Sequence, residues 1–304
     1  MNETAVTVQG FTKRYGAFTA VDGISLTVRR GEIFGLLGPN GAGKTSTLEC
    51  LEGIRRGDGG RLDVLGVDPA RHPRRLRDLI GVQLQVGGLP ADMTPREAMR
   101  FFAAYHDVAP RGDLLQRLGL GAKVDTPYRQ LSTGQQRRLA LALAVAHQPP
   151  VVLLDEPTAG LDVESRAELH ALMAELRDAG TALILATHDM AEAEKMSDRI
   201  AILLRGKIVA EGTPREITAA GAGLTKVSVR TERGLLLAEG YEPPAVVSRA
   251  AQDEYAIYFS ADPAPTVAAL LARLKERDDR LIDLRVERPS LEERFLEITN
   301  GGAA

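Results

Sequence analysis

The sequence predicts a doubly wound α/β domain built on a parallel sheet, with a smaller α+β domain after it. Short continuous apolar runs at 151–154, 182–186 and 200–204 are typical of strands that are buried on both faces. Helical stretches at 163–179 and 190–196 separate these runs. Strands that alternate with helices indicate a parallel sheet with helical crossovers.

Composition limits the function before any motif is considered. The chain has 304 residues, 44% of them hydrophobic and 26% charged, which is typical of a folded protein with two domains. A formal net charge of −3 counts against a nucleic-acid partner. The lone Cys50 and the absence of a secretory pattern at the N-terminus predict a cytoplasmic chain. The longest apolar run, 139–146, is too short to span a membrane.

The first elements of the α/β domain surround a glycine-rich turn. Residues 24–28 alternate between apolar and polar and predict a half-buried strand, while the apolar run 33–37 predicts a more buried one. After the turn, 45–51 lacks glycine and proline and predicts a helix that Gly53 ends.

A helical insertion is predicted between the strand near 80–84 and the strand at 151–154. Thr94 to Glu97 forms a capping box with proline at the first helical position. Ser132 to Gln135 repeats the box before an Ala/Leu-rich run. We expect the helical subdomain to cover about 86–148.

The second domain is predicted to begin after a short linker. Thr213 to Glu216 is a capping box that opens a short helix, and the small residues at 219–223 behave as a linker, so the predicted domains are 1–221 and 222–304. Strand-like and helical segments then follow in the order β-α-β-β-α-β, which predicts a ferredoxin-like fold. They lie at 226–230, 234–238, 245–248, 255–259, 265–277 and 281–286. Ser290 to Glu293 caps a final helix.

The glycine-rich turn fits the phosphate-binding pattern G-x-x-x-x-G-K-[ST]. In such a loop the backbone N–H groups point at phosphates, Lys44 adds a positive charge and Thr45 offers a hydroxyl to Mg²⁺. The loop follows a predicted strand and precedes a predicted helix, as this mechanism requires. The predicted nucleotide-binding residues here are Gly38, Pro39, Asn40, Gly41, Ala42, Gly43, Lys44, Thr45 and Ser46.

Two acids end the apolar run at 151–154. In a chain with a phosphate-binding loop, an acid at this position faces the nucleotide, so Asp155 is expected to hold Mg²⁺ through water. Glu156 is expected to orient or deprotonate the attacking water. Acidic residues end many strands, so these two acids alone do not indicate a nucleotide site. They are interpreted in this way because a phosphate-binding loop lies upstream.

Residues 131–135, Leu-Ser-Thr-Gly-Gln, resemble the LSGGQ signature of ATP-binding cassette (ABC) ATPases, with Thr133 in place of the first glycine. The signature lies 20 residues before Asp155, and the resemblance extends from Val6 to about Thr213. Tyr15 resembles the aromatic residue that stacks on adenine, and Gln85 the Q-loop glutamine. Residues 159–162 resemble the D-loop that ends at Asp162, and His188 resembles the switch histidine.

This resemblance implies an ABC ATPase core with an antiparallel β subdomain and a helical insertion, which binds ATP and Mg²⁺. It implies catalytic roles for Glu156, His188 and Gln85, and metal binding by Thr45, Gln85 and Asp155. It also implies that two copies sandwich two nucleotides head to tail. The further nucleotide-binding residues it implies are Tyr15, Ser132, Gly134, Gln135 and Asp162.

Several residues keep a second interpretation. Gln83 competes with Gln85 for the Q-loop role, and Tyr15 could pack under the phosphate-binding loop. The aromatic residues that could line a docking surface for a partner could equally be core residues. These are Phe101, Phe102 and Tyr105.

The histidines outside the motifs are expected to lie at the surface or in helix packing. They are His72, His106, His147 and His170.

Residues 289–296 and the ferredoxin-like domain before them resemble the tail of stand-alone cassettes in ABC-2 type exporters, including daunorubicin-resistance exporters. This implies a subunit on the inner face of the cell membrane that powers export through a separate multi-span permease. The alternative is an ABC ATPase that acts on the ribosome or on nucleic acid. The residues do not identify the cargo.

Overall fold

The computed structural model describes residues 3–83, 88–220, 224–287 and 290–301. The chain divides into two compact units, Met1–Pro214 and Arg215–Ala304. The predicted boundary between 221 and 222 lies outside the described residues. Within the described part of the chain, no helix is long and apolar enough to cross a membrane.

The first unit contains two sheets. Their strands are β1 (Thr4–Tyr15), β2 (Phe18–Arg29), β3 (Ile33–Leu37), β4 (Gly59–Val64), β5 (Ile80–Gln83), β6 (Val151–Asp155), β7 (Ala182–Thr187), β8 (Arg199–Leu204) and β9 (Lys207–Gly212). The main sheet has the order β5-β6-β7-β3-β8-β9, and all its pairs are parallel except β8 with β9. This confirms the predicted parallel sheet. Both faces of such a sheet are covered. Every residue of β6 is therefore buried, without alternation between buried and exposed positions.

The other sheet is antiparallel, with the order β2-β1-β4, and it is the antiparallel subdomain that the resemblance implied. β1 and β4 were not predicted from the residue pattern. The register of β1 against β2 shifts between Val8 and Phe11 and again before Lys13, so apolar residues do not recur strictly at every second position.

Helices cover the main sheet and form the insertion. They are α1 (Lys44–Leu51), α2 (Pro73–Leu76), α3 (Pro95–Tyr105), α4 (Gly112–Arg117), α5 (Thr133–Val145), α6 (Val163–Asp178) and α7 (Met190–Met196). Helix α8 (Pro214–Ala219) begins at the last residue of the first unit and otherwise belongs to the second. Both predicted capping boxes, at Thr94 and Ser132, are present with reciprocal hydrogen bonds. The insertion packs closely on the sheet: a Cβ built on Gly81 of β5 would lie 2.0 Å from the carbonyl oxygen of Ala144 in α5.

The second unit is an α+β fold. Its elements are β10 (Thr225–Thr231), α9 (Leu235–Ala238), β11 (Val246–Gln252), β12 (Tyr255–Ser260), α10 (Pro263–Glu276), β13 (Leu281–Glu287) and α11 (Leu291–Gly301). The antiparallel sheet has the order β11-β12-β10-β13, which is the strand order of the predicted ferredoxin-like β-α-β-β-α-β unit. Val227, Tyr258 and Leu270 lie in its own hydrophobic core. The predicted box at Ser290 and Glu293 is present.

Candidate functional site

A cleft of about 160 Å³ opens where the parallel strands end. The loop after β3 and the end of β6 meet there because the carboxyl ends of parallel strands share one edge of the sheet. Most of the predicted nucleotide-binding and acidic residues line this cleft, together with two aromatic residues. The lining is Tyr15, Phe18, Ala20, Pro39, Asn40, Gly41, Ala42, Gly43, Lys44, Thr45, Ser46, Asp155 and Glu156.

Two positions of the loop must be glycine because backbone carbonyl groups lie too close to leave room for a side chain. Gly43, which precedes α1, has a φ of 109°, and a Cβ there would lie 2.5 Å from the carbonyl oxygen of Ala20. A Cβ on Gly38 would lie 2.3 Å from the carbonyl oxygen of Leu203. Side chains at these positions would therefore displace the loop from the sheet.

Lys44 is buried at the base of the cleft, with 6% of its surface exposed. Its Nζ donates to the carbonyl oxygens of Gly38, at 2.6 Å, and Pro39, at 3.3 Å, and lies 3.8 Å from Oε1 of Glu156. Burial lowers the pKa of this ammonium, and the charges of Glu156 and Asp155 oppose that shift. A cation fixed in this way is suited to bind phosphate oxygens.

Thr45 and Asp155 form a pair of oxygen ligands beside Lys44. Oγ1 of Thr45 donates to Oδ2 of Asp155 at 2.9 Å. The other carboxylate oxygen, Oδ1, is buried and makes no hydrogen bond within the described part of the chain. Burial raises the pKa of Asp155. Hydroxyl and carboxylate oxygens are ligands that Mg²⁺ prefers, and an unpartnered buried oxygen fits a bound cation or its water. The residues present therefore fit Mg²⁺.

Glu156, which lines the cleft, is in contact with His188. Oε2 of Glu156 lies 2.8 Å from Nδ1 of His188, which follows β7, and the histidine side chain is 57% exposed. Glu156 itself is 6% exposed. A carboxylate between a lysine and an imidazole can accept a proton from water and is held in one orientation.

Two aromatic side chains stand beside the loop. Tyr15 is 40% exposed, and its hydroxyl lies 3.3 Å from Oγ of Ser46. Lys13 and Arg55 lie over its ring at 5.2 and 5.5 Å. Phe18, across the turn, is 62% exposed and was missed by the sequence reasoning. An aromatic residue three positions after Tyr15, beyond Gly16, was the signal that could have found it.

The signature and D-loop residues do not line this cleft. Ser132 caps α5: its Oγ accepts from the N–H of Gln135 at 3.2 Å, and its own N–H donates to Oε1 of Gln135 at 2.9 Å. Gly134 follows in the first turn of α5. Asp162 caps α6 and accepts from the N–H of Ser165 at 2.8 Å, and the bonds from Ser165 lower its pKa.

Gln85, the predicted Q-loop residue, lies outside the described residues. Its competitor Gln83 ends β5 with 2% of its surface exposed, and its Oε1 has no hydrogen-bond partner within the described residues. Gln83 also lines a second cleft, of about 580 Å³, between β5, α3 and α5. Phe102 and Tyr105 lie on the α3 side of that cleft.

The histidines outside the motifs lie in packing positions or at the surface. His106 and His147 stack with ring centroids 3.7 Å apart, and buried His170 lies 3.2 Å from Oε1 of Glu192. His72 is exposed.

Comparison with known proteins identifies the family of this chain. The model of a family described as ABC transporter matches residues 21–159. The chain is 37% identical to "Nod factor export ATP-binding protein I" of Ralstonia nicotianae, over 97% of this chain and 93% of that protein. It is 35% identical to "Daunorubicin resistance ATP-binding protein DrrA3" of Streptomyces coeruleorubidus, over 98% and 97%.

Solved structures resemble about 70% of this chain. One is an ATP-binding subunit of an ABC transporter, with a TM-score of 0.67 and 26% identity over 70% of this chain and 91% of that one. Another is cbiO1 of Clostridium perfringens, part of the transporter complex cbiONQ, with a TM-score of 0.61 and 28% identity over 72% and 92%.

Proposed function

This chain belongs to the ABC transporter family and is an ATPase subunit of that class, and from that premise we propose that it powers export through a separate membrane permease. Two relatives that match nearly its full length are named for export of a Nod factor and for daunorubicin resistance. The cargo class stays open, because the cargo would contact the permease.

The contact between Glu156 and His188 carries the catalytic part of the proposal. Glu156 accepts the proton of the attacking water, and His188 holds the carboxylate at 2.8 Å and reaches the γ-phosphate. Lys44 neutralises charge on the β- and γ-phosphates. Thr45 and Asp155, together with Gln85, would hold Mg²⁺, which would neutralise part of the charge of the phosphates when bound. Tyr15 stacks on adenine.

A second copy of the chain completes each site. Ser132, Gly134 and Gln135 lie at the N-terminus of α5, where the helix dipole attracts an anion. They are outside the lining of their own cleft, as is Asp162. A head-to-tail dimer brings them to the γ-phosphate in the partner's cleft, which explains why this anion site is separate from the loop of its own chain.

The helical insertion is the proposed contact with the permease, on the inner face of the membrane. Two aromatic side chains of α3, Phe101 and Tyr105, are 59% and 51% exposed. Tyr105 borders the 580 Å³ cleft beside β5, where Gln83 ends the strand. Such a surface is large and apolar enough to receive a short segment of a partner protein.

Replacing the base tests the catalytic roles. Glu156→Gln is expected to bind ATP and Mg²⁺ but to stop turnover, so that a closed dimer accumulates with ATP and elutes earlier in size-exclusion chromatography. Glu175→Gln, which changes an exposed carboxylate on α6, is the matched control and should behave as the unmodified chain. Turnover at the unmodified rate by Glu156→Gln would contradict the role given to Glu156.

Purification from native membranes tests the transport role. An affinity-tagged chain is expected to recover a multi-span permease, and Phe101→Glu with Tyr105→Glu should reduce that recovery. Recovery of ribosomes or DNA in place of a permease would support the alternative class of ABC ATPase.

A further inference from the structure

The backbone of Glu156 is strained. Its φ is 51°, in the left-handed region that residues with a side chain rarely adopt, and Pro157 follows. Such a conformation is unfavourable and persists only where the surroundings hold it. The site therefore needs contacts that fix this one residue.

Three hydrogen bonds hold the backbone of Glu156. Its N–H donates to the carbonyl oxygen of Ala186 in β7, at 2.9 Å. Its carbonyl oxygen accepts from the N–H of Ala159, at 3.3 Å, and from the guanidinium Nη1 of Arg137 in α5. The first bond belongs to the sheet and the second to the local turn, whereas the third comes from the helical insertion. Fixing both polar groups fixes the direction of the Cα–Cβ bond and hence where the carboxylate points.

We propose that Arg137 is a positioning residue for hydrolysis. It holds the carbonyl group of Glu156 so that the carboxylate stays against His188, and the geometry of the base then depends on where α5 lies. Arg137 does not touch the nucleotide in this proposal. The inference rests on the proposed role of Glu156 as base.

The neighbouring arginine shows what a purely structural link looks like. Nη1 of Arg138 lies 3.5 Å from Oε2 of Glu168 in α6, and so joins two helices without touching the cleft. Arg137 differs because its partner is the backbone of the proposed base. A structural link would affect stability, whereas a positioning contact would affect the chemical step.

Kinetics of Arg137→Met in the full chain distinguish these roles. A hydrogen bond from a charged group commonly contributes enough to change a rate about 10- to 100-fold. We expect kcat to fall by that factor while KM for ATP changes less than about twofold, because the phosphate-binding loop is intact. Arg137→Lys, which keeps one donor, should retain more of the rate. Arg117→Met, which removes an exposed guanidinium from the same subdomain, should leave kcat unchanged.

Chemical rescue provides a readout that a structural role would not move. Millimolar guanidinium is expected to restore kcat in Arg137→Ala, but not in Glu156→Gln. Unchanged kcat in Arg137→Met, or a raised KM at unchanged kcat, would overturn the inference. The inference would also be overturned if Arg137→Ala had a lowered melting temperature and guanidinium did not restore its kcat.

The two proposals can fail separately. If Glu156→Gln stops turnover while Arg137→Met turns over as the unmodified chain does, only the positioning role of Arg137 is wrong. If Glu156→Gln turns over normally, the proposed base is wrong, and the inference is overturned with it.

Discussion

His147 makes the first unit sensitive to mild acid. Its ring stacks on that of His106 at 3.7 Å and 3° between planes, and both of its ring nitrogens are buried. Burial and, to a smaller extent, the charge of His106 lower the pKa of His147 from 6.5 to about 4, whereas the backbone of Ile80 and the charge of Asp78 oppose the shift. The pKa of His106 is also lowered by burial.

Proton binding at His147 sets the sign and the size of the change in unfolding free energy with pH. Between the two pKa values the unfolded chain binds a proton at His147 that the folded chain does not, so stability falls as the pH falls from 6.5 towards about 4. Since one unit of pKa is worth 1.36 kcal/mol, the full shift corresponds to about 3 kcal/mol. By about pH 5 roughly 2 kcal/mol of that is lost. Above pH 6.5 the contribution is complete.

Urea unfolding followed by circular dichroism measures this loss. The comparison is between about pH 7 and about pH 5 for the unmodified chain and His147→Leu, with exposed His72→Leu as the matched control. The loss of unfolding free energy on acidification should be about 2 kcal/mol smaller in His147→Leu than in the other two chains. An equal loss in all three would refute the assignment of this pH dependence to His147.

Three further predictions follow from single contacts. Thr45→Ala removes the hydroxyl beside Asp155, so addition of Mg²⁺ should no longer strengthen binding of a fluorescent ATP analogue; an unchanged Mg²⁺ effect would contradict the proposed ligand. Gly81→Ala drives a Cβ to within 2.0 Å of the Ala144 carbonyl and should lower the unfolding free energy in urea by about 1–3 kcal/mol, whereas Gly88→Ala, which meets open space, should not. Cys50 is 1% exposed and burial raises its pKa to about 11, so at about pH 8 mass spectrometry should detect iodoacetamide labelling in urea but not in buffer; rapid labelling of the folded chain would contradict its burial.

The sequence predicted the parallel sheet and most of the cleft because these features are local. The buried strand β6 is a continuous apolar run that ends in Asp155, and capping boxes at Thr94 and Ser132 fix where two helices begin. The phosphate-binding loop is one short segment whose residue pattern can be recognised without its neighbours in space. Each of these signals can be seen without knowledge of the fold.

The features that were missed depend on distant parts of the chain. Strands β1 and β4 pair with shifts in register that hide their period. Phe18 joins the cleft only because β1 and β2 form a hairpin beside the loop. Arg137 meets a carbonyl 19 positions along the chain, and no spacing rule relates a helix residue to the turn after a later strand. The site roles themselves remain predictions.

Helix α5 connects two different nucleotides in the proposed dimer. Ser132 caps its N-terminus, and Arg137 lies about 7.5 Å further along the axis. In that dimer Ser132 would face the ATP held by the other copy, while Arg137 would hold the base that acts on the ATP of its own chain. Because the helix is rigid over this distance, filling either site would set the geometry of hydrolysis in the other. Both ATP molecules would then be hydrolysed together, and turnover would depend sigmoidally on ATP concentration.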